Sequence, residues 1–308
     1  MTDHNAPAHK DEGSLRDLIL SGLILPGLTP SRRRALGLLG GGLFAGGALA
    51  ACGGGSGGGS AAASSSASSS SSNASSSSGA GSSSASASGS CVEAADNTNG
   101  PYPADGTNSV GGSVVNVLTQ SGVVRSDITS SFGGASGAAA GVPLTLTVTL
   151  EDYSLGCTPL AGYAVYIWHC DRDGKYSLYS SGVTDQNYLR GVQATDAGGQ
   201  VVFTTIFPAC YSGRMPHIHV EIYASLADAV VETKALKVTQ LAFDRATCET
   251  VYNKASGYSA SVANLAAISF SSDNVFNGDS AAQLTAATVS LTGDYASGFT
   301  GQVTVATA

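Results

Sequence analysis

The chain gathers two histidines, a tyrosine and an arginine into one short stretch. Residues 208–219 read Pro-Ala-Cys-Tyr-Ser-Gly-Arg-Met-Pro-His-Ile-His, so that Tyr211, Arg214, His217 and His219 are near neighbours. If residues 217–224 form a strand, the two imidazoles at positions i and i+2 share one face, and the apolar side chains between them share the other. One face can then hold a metal ion while the other packs into a core.

A His-x-His pair by itself is also compatible with ordinary strand residues. The context here favours a metal site, because two of the three histidines that follow the predicted leader lie in this pair and the third is His169. Neutral imidazoles together with tyrosinate oxygens suit a hard, oxidised ion such as Fe(III) better than the cysteine-rich patterns of structural zinc.

The N-terminal residues have the pattern of an export signal. Residues 31–34, Ser-Arg-Arg-Arg, precede an apolar, glycine-rich run that ends in Leu-Ala-Ala-Cys at residues 49–52. This pattern predicts a twin-arginine-type lipoprotein signal peptide over 1–51 and a lipid-modified Cys52. A membrane-spanning helix is disfavoured because the run is short and rich in glycine. We therefore expect an exported protein, anchored at a membrane surface on the periplasmic or cell-surface side.

Residues 52–90 are predicted to be a flexible tether. After Cys52 they contain only Gly, Ser, Ala and one Asn, so nothing in them can bury a core. A Gly/Ser-rich coil of this length has a root-mean-square reach of roughly 35 Å. The remaining residues, 91–308, are enough for one ordinary domain with its own core.

The charge of the chain argues against one class of partner. It contains 14 Lys plus Arg and 22 Asp plus Glu, a formal net charge of −8 at pH 7. Binding to nucleic acid depends on basic stripes that neutralise phosphates. We therefore expect no nucleic-acid partner.

The cysteines after Cys52 are expected to be structural. They are Cys91, Cys157, Cys170, Cys210 and Cys248. Their spacing matches no zinc pattern, and an exported protein can oxidise them. Two disulfides and one free thiol is the simplest count, although the sequence does not determine the pairing.

The domain is predicted to be all-β, an antiparallel β-sandwich with long active-site loops. Apolar residues alternate with polar ones in several short runs that are separated by turn residues. The predicted strands are 143–150, 163–169, 200–207, 217–224, 235–243, 286–292 and 302–307. A long loop is expected over 171–196, and the only helix expected is a short one over 226–231.

An ordered series of motifs resembles the intradiol ring-cleavage dioxygenases, the family of protocatechuate 3,4-dioxygenase and catechol 1,2-dioxygenase. The series is Val165-Tyr166-Ile167-Trp168-His169, Gly174-Lys175-Tyr176-Ser177, Tyr188-Leu189-Arg190-Gly191, Thr195-Asp196, Phe203-Thr204-Thr205-Ile206, Pro208, Tyr211, Gly213-Arg214 and His217-Ile218-His219. The resemblance is strong from residue 143 to 243. Weaker similarity precedes it at 100–102 and 125–128.

The resemblance implies a mononuclear non-haem Fe(III) held by two tyrosinates and two histidines. The matching positions in this sequence are Tyr176, Tyr211, His217 and His219. It further implies catalytic roles for Arg214, Gln240 and Tyr211. Tyr211 is the candidate to take a proton from the substrate, and Arg214 is suited to stabilise negative charge that develops on a ring carbon.

The implied reaction is cleavage of a catechol-type diol by O₂ to a cis,cis-muconate-type diacid. One alternative is a non-catalytic β-sandwich binding lipoprotein on the same scaffold, because a fold does not determine a function. Another is a metal-dependent hydrolase, for which Glu221 is the nearby carboxylate but has no matching partner in the sequence. The sequence predicts neither which catechol is the substrate nor the oligomeric state.

Overall fold

The described part of the chain is mostly β-strand with a few short helices. The structure is a computed structural model, and it describes residues 90–231 and 234–308. The predicted signal peptide (1–51) and almost all of the predicted tether (52–90) lie outside the described residues, so both stay predictions. Within the described ranges, no helix combines the length and the apolar character needed to cross a membrane.

The strands and helices follow one another in chain order. The strands of the described residues are β1 (Asp105–Val110), β2 (Ser113–Asn116), β3 (Pro143–Asp152), β4 (Thr158–Pro159), β5 (Ala164–Trp168), β6 (Arg190–Ala194), β7 (Gln200–Ile206), β8 (His217–Tyr223), β9 (Ala235–Ala242), β10 (Ser290–Asp294) and β11 (Gly298–Thr307). The helices are α1 (Arg245–Lys254), α2 (Ser259–Ala266) and α3 (Ala281–Ala287), with a 3₁₀ turn at Phe276–Gly278.

Two larger sheets and one hairpin organise these strands. The five-stranded sheet has the order β10-β11-β3-β4, with β7 also paired to β3. The four-stranded sheet has the order β6-β5-β8-β9 and is antiparallel throughout. Strands β1 and β2 form the separate hairpin. Neither large sheet closes on itself. Strand predominates over helix, which agrees with the predicted all-β class in part, whereas the sandwich stays a prediction.

Alternation of apolar and polar residues explains how β3 is buried. Leu144, Leu146, Val148 and Leu150 are fully buried, whereas the threonines between them lie on the other face. Strands β5 and β8, inside the four-stranded sheet, are buried on both faces. Buried side chains from both large sheets belong to a single hydrophobic cluster, so the sheets share one core.

The five-stranded sheet is mixed rather than purely antiparallel as predicted. Strand β11 runs parallel to β3, from the Phe299–Leu144 pair to the Thr307–Asp152 pair. Alternation shows that a segment has one buried face, but it carries no information on the direction of its neighbour. The direction depends instead on the long connection between the two strands.

Three local predictions were wrong. Strand β6 occupies the end of the segment predicted as the loop 171–196. Residues 226–231 form turns rather than a helix, and the strand predicted over 286–292 is split between the end of α3 and β10. Helix α1 was not predicted; its buried residues Cys248, Val251 and Tyr252 follow an i, i+3, i+4 pattern, and Asp244 caps its first turn.

The described residues contain one disulfide rather than two. Cys91 is bonded to Cys157, which joins the start of the domain to the turn between β3 and β4. Cys170, Cys210 and Cys248 are buried free thiols. A buried cysteine packs as a small apolar side chain, so the number of cysteines does not fix the number of disulfides.

Candidate metal centre

The histidine pair lies on β8, between β5 and β9. His217 and His219 are each 2% exposed and share one face, while Ile218 and Val220 are fully buried on the opposite face. The predicted division of this strand into a polar face and a core face is therefore confirmed. A strand buried on both sides is a rigid support for the two imidazoles.

Each imidazole is oriented by a different neighbour. The Nδ1 of His217 lies 2.7 Å from the carbonyl oxygen of Met215, a contact that assigns the proton to Nδ1 and leaves the Nε2 lone pair free. The His219 ring stacks on Trp168, with centroids 4.7 Å apart and planes 4° apart. The two Nε2 atoms lie 3.1 Å from each other.

The two predicted tyrosine ligands reach the same point from loops. The Tyr176 hydroxyl, from the β5–β6 connection, lies 3.3 Å from His217 Nε2 and 3.2 Å from His219 Nε2. The Tyr211 hydroxyl, from the β7–β8 connection, lies 3.3 Å from His217 Nε2. Two oxygens and two nitrogens therefore converge from three elements of the fold.

A tight turn brings the two tyrosine loops together. Asp171 accepts hydrogen bonds from the backbone N–H groups of Asp173 and Lys175, which turns the chain just before Tyr176. Gly174 has a φ of 79°, and a Cβ added there would lie 3.2 Å from the Cβ of Tyr211. Glycine is therefore required both by the turn and by the close approach of the second loop.

The donor set fits one first-row transition metal ion. Ligand atoms bound to such an ion at about 2 Å are about 3 Å from one another, and four N–N and N–O distances among these donors are 3.1–3.3 Å. Two phenol oxygens and two imidazoles are ligands suited to iron, and the oxygens favour Fe(III) over softer ions. Tyr176, Tyr211, His217 and His219 would hold it.

Burial sets the protonation states of these groups. It lowers the pKa of His217 and His219 well below the ordinary value, and the Arg214 charge adds to this effect. It raises the pKa of Tyr176 well above the ordinary value and that of Tyr211 to about 12. The imidazoles are thus in their neutral, ligating form, whereas the phenols need a bound cation to release their protons.

The predicted catalytic pair Arg214 and Gln240 lies beside the four donors. Nη1 of Arg214 is 3.5 Å from His217 Nε2, and its Nη2 donates a 2.6 Å hydrogen bond to Gln240 Oε1. Gln240 is on β9, directly opposite His219. Arg214 is not the solvent-exposed residue of an ordinary surface ion pair, because it is only 9% exposed.

The structure brings all six sequence-predicted site residues together, and it adds several that the sequence did not reveal. Trp168 is the single tryptophan of the chain and pairs with His219 across β5 and β8. Gly100 lies over His219, where an added Cβ would be 3.2 Å from Cε1. The Tyr102 ring lies 5.0 Å from that of Tyr176. Gly100 and Tyr102 belong to the segment 100–102, and its weak similarity to the family was the only sequence signal for these two residues.

Glu221 has a neighbouring carboxyl group that the sequence did not reveal. Both it and Asp105 are 1% exposed. Burial, followed by the nearby Asp105 charge, raises the pKa of Glu221 to about 8, and Tyr223 donates a hydrogen bond to it. Burial and a neighbouring carboxyl group therefore both favour the protonated form of Glu221.

Comparison with known proteins supports the resemblance to the intradiol ring-cleavage dioxygenases. The family model described as Dioxygenase matches residues 127–247, which include Tyr176, Tyr211, Arg214 and the histidine strand. An intradiol ring-cleavage dioxygenase from Tetranychus urticae has a similar fold, with a TM-score of 0.53 and 23% identity, over 70% of this chain and 95% of that one.

A curated relative gives a more specific likeness over a shorter segment. Chlorocatechol 1,2-dioxygenase from Rhodococcus opacus is 31% identical over 86 residues, which are 22% of this chain. The aligned residues cover 34% of that relative, so the chain spans about a third of its length. Together these matches confirm the resemblance to the intradiol ring-cleavage dioxygenases. The lipoprotein form stays a prediction.

Proposed function

We propose that this chain is an Fe(III)-dependent enzyme that cleaves a catechol-type aromatic diol with O₂ to a cis,cis-muconate-type diacid. The observation that carries the proposal is the convergence of two tyrosine oxygens and two imidazole nitrogens at 3.1–3.3 Å. The curated relative is named chlorocatechol 1,2-dioxygenase, and this name supports a catechol-type diol as the substrate class. A binding protein without catalysis has no need for such a donor set.

The bound metal would supply the reactivity toward oxygen. Tyr176, Tyr211, His217 and His219 would hold Fe(III), which would supply Lewis-acid activation of an aromatic diol toward O₂. Two phenolates offset most of its charge and stabilise the oxidised ion. The neutral imidazoles of His217 and His219 leave the remaining positive charge available to the anionic substrate.

Tyr211 is the residue proposed to take a proton from the arriving diol. It is half-buried, whereas Tyr176 is only 2% exposed, so Tyr211 has more freedom to leave the donor set. Burial raises the pKa of Tyr211 without a bound cation to about 12, so a phenolate released from the ion would readily take up a proton. Tyr176 would stay in place as the permanent oxygen ligand.

Arg214 is proposed to stabilise negative charge on the ring. Its Nη1 faces the donor set at 3.5 Å from His217 Nε2, while Gln240 fixes Nη2 on the far side. A guanidinium held in place within a dry site interacts strongly with charge that develops during a reaction. Gln240 itself is tied to the carbonyl oxygen of Thr98 at 2.8 Å.

The scaffold is proposed to be a β-sandwich. The supporting observation is that buried side chains from β3 and β7 of one sheet and from β5 and β8 of the other lie in a single cluster. Two sheets that share a core in this way pack face to face. The site then lies at one end of the pair, where the loops that carry Tyr176 and Tyr211 meet.

The location is proposed from the sequence alone. A lipid-modified Cys52 would hold the protein at a membrane surface, and the tether would let the catalytic domain stand away from the headgroups. A small aromatic diol and O₂ both reach such a position without a transporter. The disulfide between Cys91 and Cys157 agrees with an oxidising compartment.

The test is a substrate panel on iron-loaded protein. Catechol, protocatechuate and hydroxyquinol are each assayed by oxygen uptake, with iron measured by elemental analysis and with metal-stripped protein as the control. We expect about one iron per chain, and one O₂ consumed per diol with at least one member of the panel. Stoichiometric iron without oxygen uptake on any diol would return the chain to the binding-lipoprotein alternative.

A further inference from the structure

Arg214 is held by a carboxylate from a part of the chain that the family match does not include. Asp273 is fully buried, and its two oxygens lie 3.2 and 3.0 Å from Arg214 Nε. The matched segment ends at residue 247, so Asp273 belongs to the C-terminal region, between α2 and α3. The sequence around it, Ser-Ser-Asp-Asn, has the composition of an ordinary polar turn.

Asp273 is itself fixed on every side. One carboxylate oxygen accepts a 2.6 Å hydrogen bond from the backbone N–H of Met215, and the other accepts from the N–H groups of Val275 and Phe276. The carboxylate therefore joins the backbone that follows Arg214 to the turn that precedes the 3₁₀ segment. Neither the loop nor the side chain can shift without breaking several hydrogen bonds.

The guanidinium is consequently held by hydrogen bonds at two of its nitrogens and by one aromatic ring. Asp273 holds Nε, Gln240 holds Nη2, and the Phe276 ring lies 5.8 Å from Cζ. The remaining Nη1 points toward His217. A buried cation next to a metal site is unfavourable unless a counter-charge accompanies it, and Asp273 forms the buried ion pair with Arg214.

We propose that Asp273 is a positioning residue that aims Nη1 of Arg214 at the reacting ring. The proposal rests on the dioxygenase function above for its effect on rate, and on the geometry alone for its effect on Arg214. Among the described hydrogen bonds, Asp273 has none with the four donors. Arg214 is its side-chain partner, and its other hydrogen bonds come from backbone N–H groups. The C-terminal region that carries α2, α3 and the 3₁₀ turn thus completes the site.

The kinetic test is a double-mutant cycle on full-length protein made soluble with Cys52→Ser. Asp273→Asn should lower kcat about 10- to 100-fold, the usual effect of losing an outer-shell partner, with KM, iron content and the visible band nearly unchanged. Asp273→Glu should restore part of the rate. In an Arg214→Ala background, Asp273→Asn should have little further effect on kcat, because the side chain that Asp273 positions is gone.

The matched control is Asp294→Asn. Asp294 is exposed and accepts hydrogen bonds from two backbone N–H groups of its own turn, as Asp273 does, but the structure gives it no arginine partner. It should leave kcat unchanged. If Asp273→Asn lowers kcat by the same factor with and without Arg214, the residue only supports the fold and the proposal is overturned.

A measurement on metal-free protein keeps this inference separate from the proposed activity. The Nε–H of a held arginine gives a distinct, slowly exchanging NMR signal, which Arg214→Lys identifies by its loss. We expect Asp273→Asn to shift it or speed its exchange, and Asp294→Asn to leave it unchanged. A wild-type signal that exchanges as fast as that of an exposed arginine would overturn the positioning role. Inactivity on all diols with a protected signal would overturn only the dioxygenase function.

Discussion

Each candidate ligand is held by a contact that leaves one donor atom free for a metal ion. His217 is oriented through Nδ1, and His219 is packed against Trp168, so both present Nε2 to the same point. The histidine pair was visible in the sequence through its spacing, whereas the two tyrosines were assigned only through the resemblance to the dioxygenase family. The contact between Asp273 and Arg214 was not predictable, because residues 59 positions apart carry no local signal of their pairing.

Removal of either imidazole should remove the metal. His217→Ala and His219→Ala should each lose most of the iron after dialysis, because solvent does not replace a lost ligand at equal affinity. Elemental analysis of the dialysed protein measures the loss. His169→Gln is the control, since His169 is also buried but bonds to Thr205 rather than to the donor set. Equal iron in all three variants would show that β8 does not hold the metal.

The pH dependence of stability should include a contribution from the buried neutral imidazole of His169. Burial lowers the pKa of His169 from 6.5 to about 4. Between these values the unfolded chain binds a proton that the folded chain does not, so the free energy of unfolding decreases as pH falls through this window. The decrease from this group is about 1.4 kcal/mol per pH unit.

The comparison that isolates this group uses metal-free wild type and His169→Gln. Their urea-unfolding free energies are measured at several pH values between 7 and 4.5. The wild type should lose stability more steeply than the variant, since every other titrating group is common to both. Identical slopes would mean that His169 is protonated in the folded state.

At the scale of the elements, alternation predicted the strands but not their directions. Strands β3, β7 and β8 each have an apolar face that is visible in the sequence, and the structure has them close to the predicted bounds. The parallel pairing of β11 with β3 and the helix α1 were not predicted. Both depend on tertiary packing, since α1 has only three buried residues in its ten.

The segment before β1 acts as a cover over the site, and the disulfide fixes its start. Asn97 accepts the backbone N–H of Gln240, and Gly100 lies against His219. Lys237 adds a buried ammonium group that pairs with Glu93 and Asp96 of the same segment. Loss of the Cys91–Cys157 bond should therefore affect both stability and substrate binding.

Reduction of this bond should lower the free energy of unfolding by about 4 kcal/mol, because it releases a loop of 66 residues in the unfolded chain. It should also raise KM more than it lowers kcat, since the ligands stay in place. Denaturation with and without a phosphine reductant measures the first effect. The Cys91→Ser/Cys157→Ser double variant is the control and should not respond to reductant. If reductant also leaves the free energy of unfolding and the KM of the wild type unchanged, this account of the bond is contradicted.

Across the whole chain, three segments are predicted to have separate roles: export, tether and catalysis. The described residues support only the last of these, and the first two depend on the composition of 1–90. The acidic net charge of −8 agrees with a protein that binds no polyanion. The site uses residues from nearly the whole described chain, from Thr98 to Asp273.

Cys52→Ser should release the protein from membranes without reducing its activity. The lipid would be the only strong attachment, and the site lies beyond the predicted tether. Oxygen uptake in the soluble and membrane fractions of cells that express each form measures the release. The neighbouring Ser56→Ala is a control that should stay in the membrane fraction. Activity that sediments equally for Cys52→Ser would rule out lipid anchoring at this residue.

The visible spectrum of iron-loaded protein tests the central claim most directly. If Tyr176 and Tyr211 are tyrosinate ligands of Fe(III), the wild type should be red-brown from charge transfer between oxygen and iron. Tyr211→Phe should keep its fold, lose much of the band and turn over far more slowly, while Tyr153→Phe, at an exposed position, should match the wild type. A colourless iron-loaded wild type, or a Tyr211→Phe variant with unchanged spectrum and rate, would contradict the account.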